Sequence, residues 1–169
     1  MIKAYTSAQL QQLEREAANR ERRRSNLNVH GELDAGVQRL FIATQPDTYM
    51  RPHRHPEAHK WEFFVVLEGK IDLLVFSDRG EILQRIEMSG QQTRAVEVPP
   101  GTWHAYVCMQ ADTLALEIKE GAYIPTGPED FADWSPAENT GPARTFLERM
   151  RLAQVGDSLA PRIKTGTKR

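Results

Sequence analysis

Cysteine is almost missing from this chain. Cys108 is the only one, so no disulfide can form within the chain and a cystine-stapled scaffold is excluded. Long apolar runs are missing too. The longest, Phe63 to Leu67, falls far short of the ~20 residues a helix needs to cross a bilayer. The start Met1-Ile2-Lys3-Ala4-Tyr5-Thr6 lacks the apolar core of a secretory signal. A soluble, cytoplasmic protein is the expectation. Neither sign of charge dominates: 22 Lys and Arg stand against 23 Asp and Glu, for a net charge of -1. That balance gives no general attraction to nucleic acid or to an anionic membrane. No internal repeat and no helix-turn-helix pattern is visible. What remains is 169 residues, the size of one domain, able to bury roughly 68 to 70% of its unfolded surface.

Two textures share that length. Thr6 to about Arg24 reads as a helix, because Thr6 with Gln9 fits a capping box and Leu10, Leu13 and Ala17 recur at helical spacing. Its apolar stripe is thin, so the helix is expected to pack on the outside of something larger. The run Arg20 to Arg24 reads either as a solvated helix end, complementing the helix dipole, or as an anion site. Asn26, Asn28 and His30 alternate along an extended segment. From Val37 the spacing becomes that of an all-β sandwich or barrel. Strands are predicted over 37–43, 48–51, 62–68, 70–77, 81–88, 94–98, 103–107 and 113–119, with turns at Gly69 and at Asp78-Arg79-Gly80. Prolines and glycines then forbid regular structure through most of 121–142, a stretch expected to wrap the barrel and be pinned by Phe131 and Trp134. Ala143 to Ala153 is expected to form a short helix, and 160–169 a mobile tail. The chain thus divides into an N-terminal helix and polar segment (1–36), a barrel (37–125) and a wrapping C-terminal segment (126–169) within one structural domain.

Three of the five histidines fall at ligand-like positions. In an extended strand alternate side chains share a face, so His53 and His55 lie together while Arg54 points away. Glu62 opens an apolar strand that ends at Gly69, and His104 follows the turn Pro99-Pro100-Gly101. Three imidazoles with a carboxylate, and coordination positions to spare, suit one divalent ion of iron, manganese, nickel, copper or zinc. By the same parity, His104, Tyr106 and Cys108 share a face. Tyr106 is the candidate catalytic group, its hydroxyl placed to hydrogen-bond a substrate oxygen, while a buried free Cys108 reads as packing.

The paired segments His53-Arg54-His55 with Glu62 and Gly69, and Pro99-Pro100-Gly101-Thr102-Trp103-His104, resemble the two cupin motifs. With Val37-Gln38-Arg39-Leu40, Tyr49 to Pro56 and Lys60-Trp61-Glu62, the stretch from about Arg22 to Trp134 is similar to the WbuC family of cupin-fold metalloproteins. The resemblance implies a double-stranded β-helix with a divalent metal at its mouth. Members are often encoded among surface-polysaccharide genes. Six residues separate His55 from Glu62 where the motif has three or four, which makes His59 a rival ligand. Glu62 is preferred because its spacing to Gly69 matches the motif, so the extra residues lengthen only a loop. Asp47 and Cys108 also stand where the motifs usually have Gly and Asn.

Arg51 shares the parity of His53 and would aim a cation at the cavity, favouring an acidic ligand. Arg39 and Lys60 are further substrate-binding candidates, carried by the resemblance. The expected function is metal-dependent chemistry on a small polar or acidic metabolite, such as a sugar or sugar acid. An isomerase or epimerase would use the metal as a Lewis acid while Tyr106 moves a proton, and an oxygenase would use iron. The rival is a non-catalytic carbohydrate-binding module. A homodimer formed by strand or helix exchange is expected in either case.

Overall fold

The structure, a computed structural model, describes residues 1–161. The part of the expected mobile tail beyond 161 lies outside the described residues. Two helices, α1 (Ser7–Asn19) and α2 (Gly141–Leu152), flank eight strands. The strands are β1 (Arg24–Asn28), β2 (Val37–Thr44), β3 (Glu62–Glu68), β4 (Lys70–Phe76), β5 (Ile82–Ser89), β6 (Ala95–Val98), β7 (Trp103–Cys108) and β8 (Thr113–Glu120). They form a five-stranded sheet in the order β1-β2-β8-β3-β6 and a three-stranded sheet in the order β5-β4-β7. Every strand pairing in both sheets is antiparallel.

Strand parity sorts the side chains into layers. Ile42, Phe64, Val66, Ile71, Leu73, Tyr106 and Ala115 meet between the sheets. On the outer face of the small sheet, Leu74, Phe76, Ala105 and Val107 pack against Phe146, Leu147 and Met150 of α2. On the outer face of the large sheet, Ala43 and Leu114 pack against Leu13 and Ala17 of α1. The result is a β-sandwich with a helix on each side. β4 and β7 are covered on both faces, which is why their sequences read as nearly continuous apolar runs.

Gly69 makes the tight turn between β3 and β4. It sits at φ +80°, and a Cβ there would run into the Thr113 side chain and lie 2.9 Å from the Thr113 Cα. Gly69→Ala is therefore expected to cost at least about 2 kcal/mol, from left-handed strain plus the clash, read as a lower denaturation midpoint in urea.

Two predicted elements differ. The first helix keeps its capping box, with Thr6 Oγ1 accepting from Gln9 N at 3.3 Å, but ends at Asn19. Arg24–Asn28 instead pairs with the free edge of β2, in the register Arg24 with Thr44 through Asn28 with Leu40. The edge supplies backbone partners that continued helix would forgo. Residues 48–51 are not a strand of either sheet; the segment after them runs beside β7 through a His53–His104 bridge.

Part of the segment 121–140 is fastened to the sandwich by three contacts. Tyr49 donates its hydroxyl to the Pro136 carbonyl (2.9 Å), Ala132 N donates to Pro52 O (2.9 Å), and Trp134 packs on Phe76 and Phe146.

Candidate metal centre

The four residues singled out from the sequence converge beside the starts of β3 and β7. His53 and His104 exchange backbone hydrogen bonds, His53 N to His104 O at 3.0 Å and His104 N to His53 O at 2.9 Å. This brings the 53–55 segment alongside the start of β7. Gly101 N donates to His55 O (2.7 Å), which ties the turn before β7 to the same segment. Glu62, the first residue of β3, reaches across from the other sheet. One nitrogen or oxygen from each of His53, His55, Glu62 and His104 lies within 4.8 Å of the others. His59, the rival ligand, is exposed in the preceding turn with its imidazole beside Gly121.

The imidazoles are oriented by their backs. Nδ1 of His53 lies 3.0 Å from the Arg51 carbonyl, and Nδ1 of His104 lies 2.9 Å from the Thr102 carbonyl. A carbonyl only accepts, so each Nδ1 carries the hydrogen and each Nε2 is left as a lone pair when the ring is neutral. His104 Nε2 is 2.8 Å from Glu62 Oε2, and His55 Nε2 is 3.1 Å from Glu62 Oε1. A neutral His55 can donate its Nε2 hydrogen to Glu62, but the Nε2 lone pair of His104 repels the carboxylate unless a cation lies between them. A proton is the simplest such cation. Burial works against charge on His104, but the hydrogen bond and the charge of Glu62 outweigh it and raise its pKa. Burial also disfavours the Glu62 carboxylate, yet hydrogen bonds from His104 and His55 hold it well below the ordinary range. His53, buried and next to His104, is lowered to about 3 and stays neutral. This donor set fits a divalent cation in place of the proton.

Beyond the cluster opens a cavity of about 220 Å³, lined by Phe64, Leu73, Val98, Tyr106, Glu117 and Lys119 among others. A second hollow of about 520 Å³ shares Arg22, Arg24, Met50, Tyr106, Glu117 and Lys119 with it. Tyr106 stacks on Phe64 with centroids 5.5 Å apart, and its buried hydroxyl has no hydrogen-bond partner. Burial raises its pKa, so the phenol is protonated at neutral pH. Register explains Lys119: it is the cross-strand partner of Glu62. Its Nζ lies 3.3 Å from Glu62 and 2.5 Å from Glu117. Burial opposes its charge, but the two carboxylates keep it protonated.

Other candidates from the sequence lie elsewhere. Arg51 stacks on Phe131 at 4.9 Å and donates to Ser135 Oγ and the Ala132 carbonyl, both at 3.1 Å, so it pins the wrapping segment. Arg39 is exposed on β2; Leu40 and Ile42, of the opposite parity, line the second hollow. Lys60 is buried and donates to the Ala122 carbonyl at 3.3 Å. Cys108 donates its thiol to the Gln110 carbonyl (2.9 Å), and burial raises its pKa. Sequence reasoning missed Glu117 and Lys119, and it did not place Arg22, Arg24 and Glu138 at the cavity, where all three line its wall.

Among solved structures, CapF is similar over 63% of this chain and 30% of its own, with 22% identity and a TM-score of 0.52. That likeness shows the fold alone. A cupin superfamily protein from Desulfitobacterium hafniense (14% identity, 60% of this chain and 80% of that one) and KdgF from Halomonas sp. (16%, 59% and 80%) each align with a TM-score of 0.47. The shared fold is a β-sandwich of two antiparallel sheets with flanking helices. Residues 5–88 match the family model described as a domain of unknown function, DUF6016. No curated protein matches the chain. No helix among the described residues is long and apolar enough to cross a membrane.

Proposed function

We propose that this protein is a metal-dependent enzyme that shifts a proton on a small polar metabolite, with sugars and sugar acids as the leading substrate class. The observation that carries the reading is the convergence of His53, His55, Glu62 and His104 at a cavity that is also lined by Tyr106, whose buried hydroxyl has no hydrogen-bond partner. These four residues would hold the ion. When bound, a divalent metal supplies Lewis-acid polarisation of a carbonyl or hydroxyl oxygen. Glu117, a buried carboxylate lining the same cavity, accepts the proton released from carbon, and Tyr106, held protonated by its apolar surroundings, donates a hydrogen bond or a proton to a second substrate oxygen. Phe64, Leu73 and Val98 keep bulk water from that oxygen. The resemblance to the WbuC family, whose members often sit among surface-polysaccharide genes, supports a sugar-derived substrate, and a homodimer is part of the same proposal. An isomerase or epimerase is favoured over an oxygenase because the cavity beside the cluster contains a protonated phenol, Tyr106, with a free hydroxyl.

The test is deuterium incorporation at carbon. Metal-loaded protein in D₂O, incubated with a panel of hexoses, hexuronates and their phosphates, is expected to exchange a carbon-bound hydrogen detectable by NMR. Tyr106→Phe is expected to slow that exchange by about 10²- to 10⁴-fold at unchanged metal content. The same substitution is expected to leave thermal stability level or slightly higher, because a buried hydroxyl without a partner is a cost to folding. No exchange with any substrate of the panel, alongside tight metal-dependent binding of one, would move the non-catalytic binding reading ahead.

A further inference from the structure

The arginine run at 20–24 is the strongest sequence feature that the metal-centred reading leaves unused. Two of its members face the cavity. Arg22 and Arg24 are two residues apart where the chain enters β1, and both close on the carboxylate of Glu138 from the wrapping segment. Arg22 Nε donates to Glu138 Oε2 at 2.8 Å; Arg24 Nη2 donates to Glu138 Oε1 and Oε2 at 2.7 and 2.9 Å. Arg24 is further fixed by donating Nη1 to the Tyr49 carbonyl (3.0 Å), and its side chain is only 12% exposed. All three residues line the same cavity as the histidine cluster.

Two guanidiniums on one carboxylate leave a positive excess at that wall. Each guanidinium has a planar fork that takes two oxygens, and the single Glu138 carboxylate cannot fill both. Charge in the cavity as a whole points the same way. Arg22, Arg24 and Lys119 face Glu62, Glu117 and Glu138, so a divalent ion at the cluster would tip a balanced lining to positive. The volume of about 220 Å³ is below the ~300–1,000 Å³ typical of drug-sized ligands and suits one sugar ring.

We propose that Arg22 and Arg24 form an anion clamp for the carboxylate or phosphate of a monosaccharide-sized, polyhydroxylated ligand, and that Glu138 is an internal placeholder which the ligand anion displaces. The ligand then spans the cavity from the clamp, past the Tyr106 hydroxyl, to the histidine cluster. Displacement costs Glu138 its partners, so the resting contact lowers affinity for every anion, while a neutral ligand leaves the contact in place and gains nothing from the clamp. The span rests on the proposed metal-dependent function; the clamp itself rests only on the arginines and Glu138.

Calorimetric titration of manganese-loaded protein with glucuronate, glucose 6-phosphate and glucose tests it. One or both anions are expected to bind at least about tenfold more tightly than glucose. Arg22→Gln, at a side chain 55% exposed, is expected to erase most of that preference while the melting temperature holds. Glu138→Gln, which keeps the shape and removes the charge, is expected to tighten anion binding by about tenfold and leave glucose unchanged. Which anion gains from Glu138→Gln identifies the head group. Equal binding of all three sugars, no binding of either anion, or an unchanged preference in Arg22→Gln overturns the clamp. Metal content measured in parallel separates the two proposals. Anion preference in a protein that takes up no metal sinks the metal centre and keeps the clamp; full metal loading with no preference does the reverse.

Discussion

Replacing His55 and His104 together with alanine is expected to cut bound metal, measured by elemental analysis after dialysis, by about tenfold or more. The double substitution leaves His53 and Glu62 as the only donors of the cluster, a two-point hold on an ion that four donors within 4.8 Å would otherwise share. Losses from distant sites serve as the contrast. Cys108→Ser is expected to leave metal content unchanged, because that thiol is committed to the Gln110 and Thr44 carbonyls and burial keeps it protonated. Glu62→Gln is expected to lower metal content and His59→Ala to leave it alone, since only Glu62 reaches the imidazoles. The folded state should survive the double substitution, because the His53–His104 pairing is made by backbone groups that alanine retains. Stoichiometric metal in the double variant would sink the assignment of these ligands.

The all-β class, most strands and the four clustered residues were legible because each rests on short-range rules. Alternation put His53 with His55, apolar runs bounded by Gly69 and Gly80 marked β3 to β5, and Thr6 with Gln9 marked the start of α1. The rest of the cavity was hidden by a reversal of the usual rule. In Thr113–Glu120, Leu114, Leu116 and Ile118 alternate with Ala115, Glu117 and Lys119, which reads as apolar inside and charged outside. The structure has the opposite arrangement: Leu114 faces outward to be covered by α1, and Glu117 and Lys119 line the cavity. Nothing local in the strand says which face a helix will cover. Arg22 and Arg24 were obscured because arginines after a helical stretch continue the helix pattern, whereas here Arg22 lies in a turn and Arg24 starts the strand paired to the edge of β2. Glu138 lies more than a hundred positions away in a segment without periodicity, so its contact with them has no sequence signature. Arg51 has the right parity by alternation, but Pro52 begins a stretch paired to the wrapping segment, and its guanidinium follows Phe131.

Breaking the Asp72–Arg85 pair is expected to be among the most destabilising single changes. Asp72 is on the helix-facing side of β4, where its side chain is 4% exposed and that of Arg85 is 10% exposed. Arg85 Nε and Nη2 donate to Asp72 Oδ2 at 2.9 and 2.6 Å. The same guanidinium also donates to the carbonyls of Met150 (3.0 Å), Arg151 (3.0 Å) and Ala153 (2.7 Å), which are left without helical partners where α2 ends. One side chain thus neutralises a buried carboxylate, caps α2 and fastens it to the small sheet. Arg85→Ala abandons all three tasks and leaves Asp72 charged, buried and unpaired. A cost of about 3 to 5 kcal/mol follows, or a melting temperature lower by roughly 6 to 20 °C for a domain of this size. Asp72→Leu with Arg85→Met, which removes both charges at similar volume, is expected to lose much less than Arg85→Ala. That difference separates the penalty of an orphaned charge from the loss of packing, because α2 buries Phe146, Leu147 and Met150 in every variant. A double variant as unstable as Arg85→Ala would assign the stability instead to the capped carbonyls of α2.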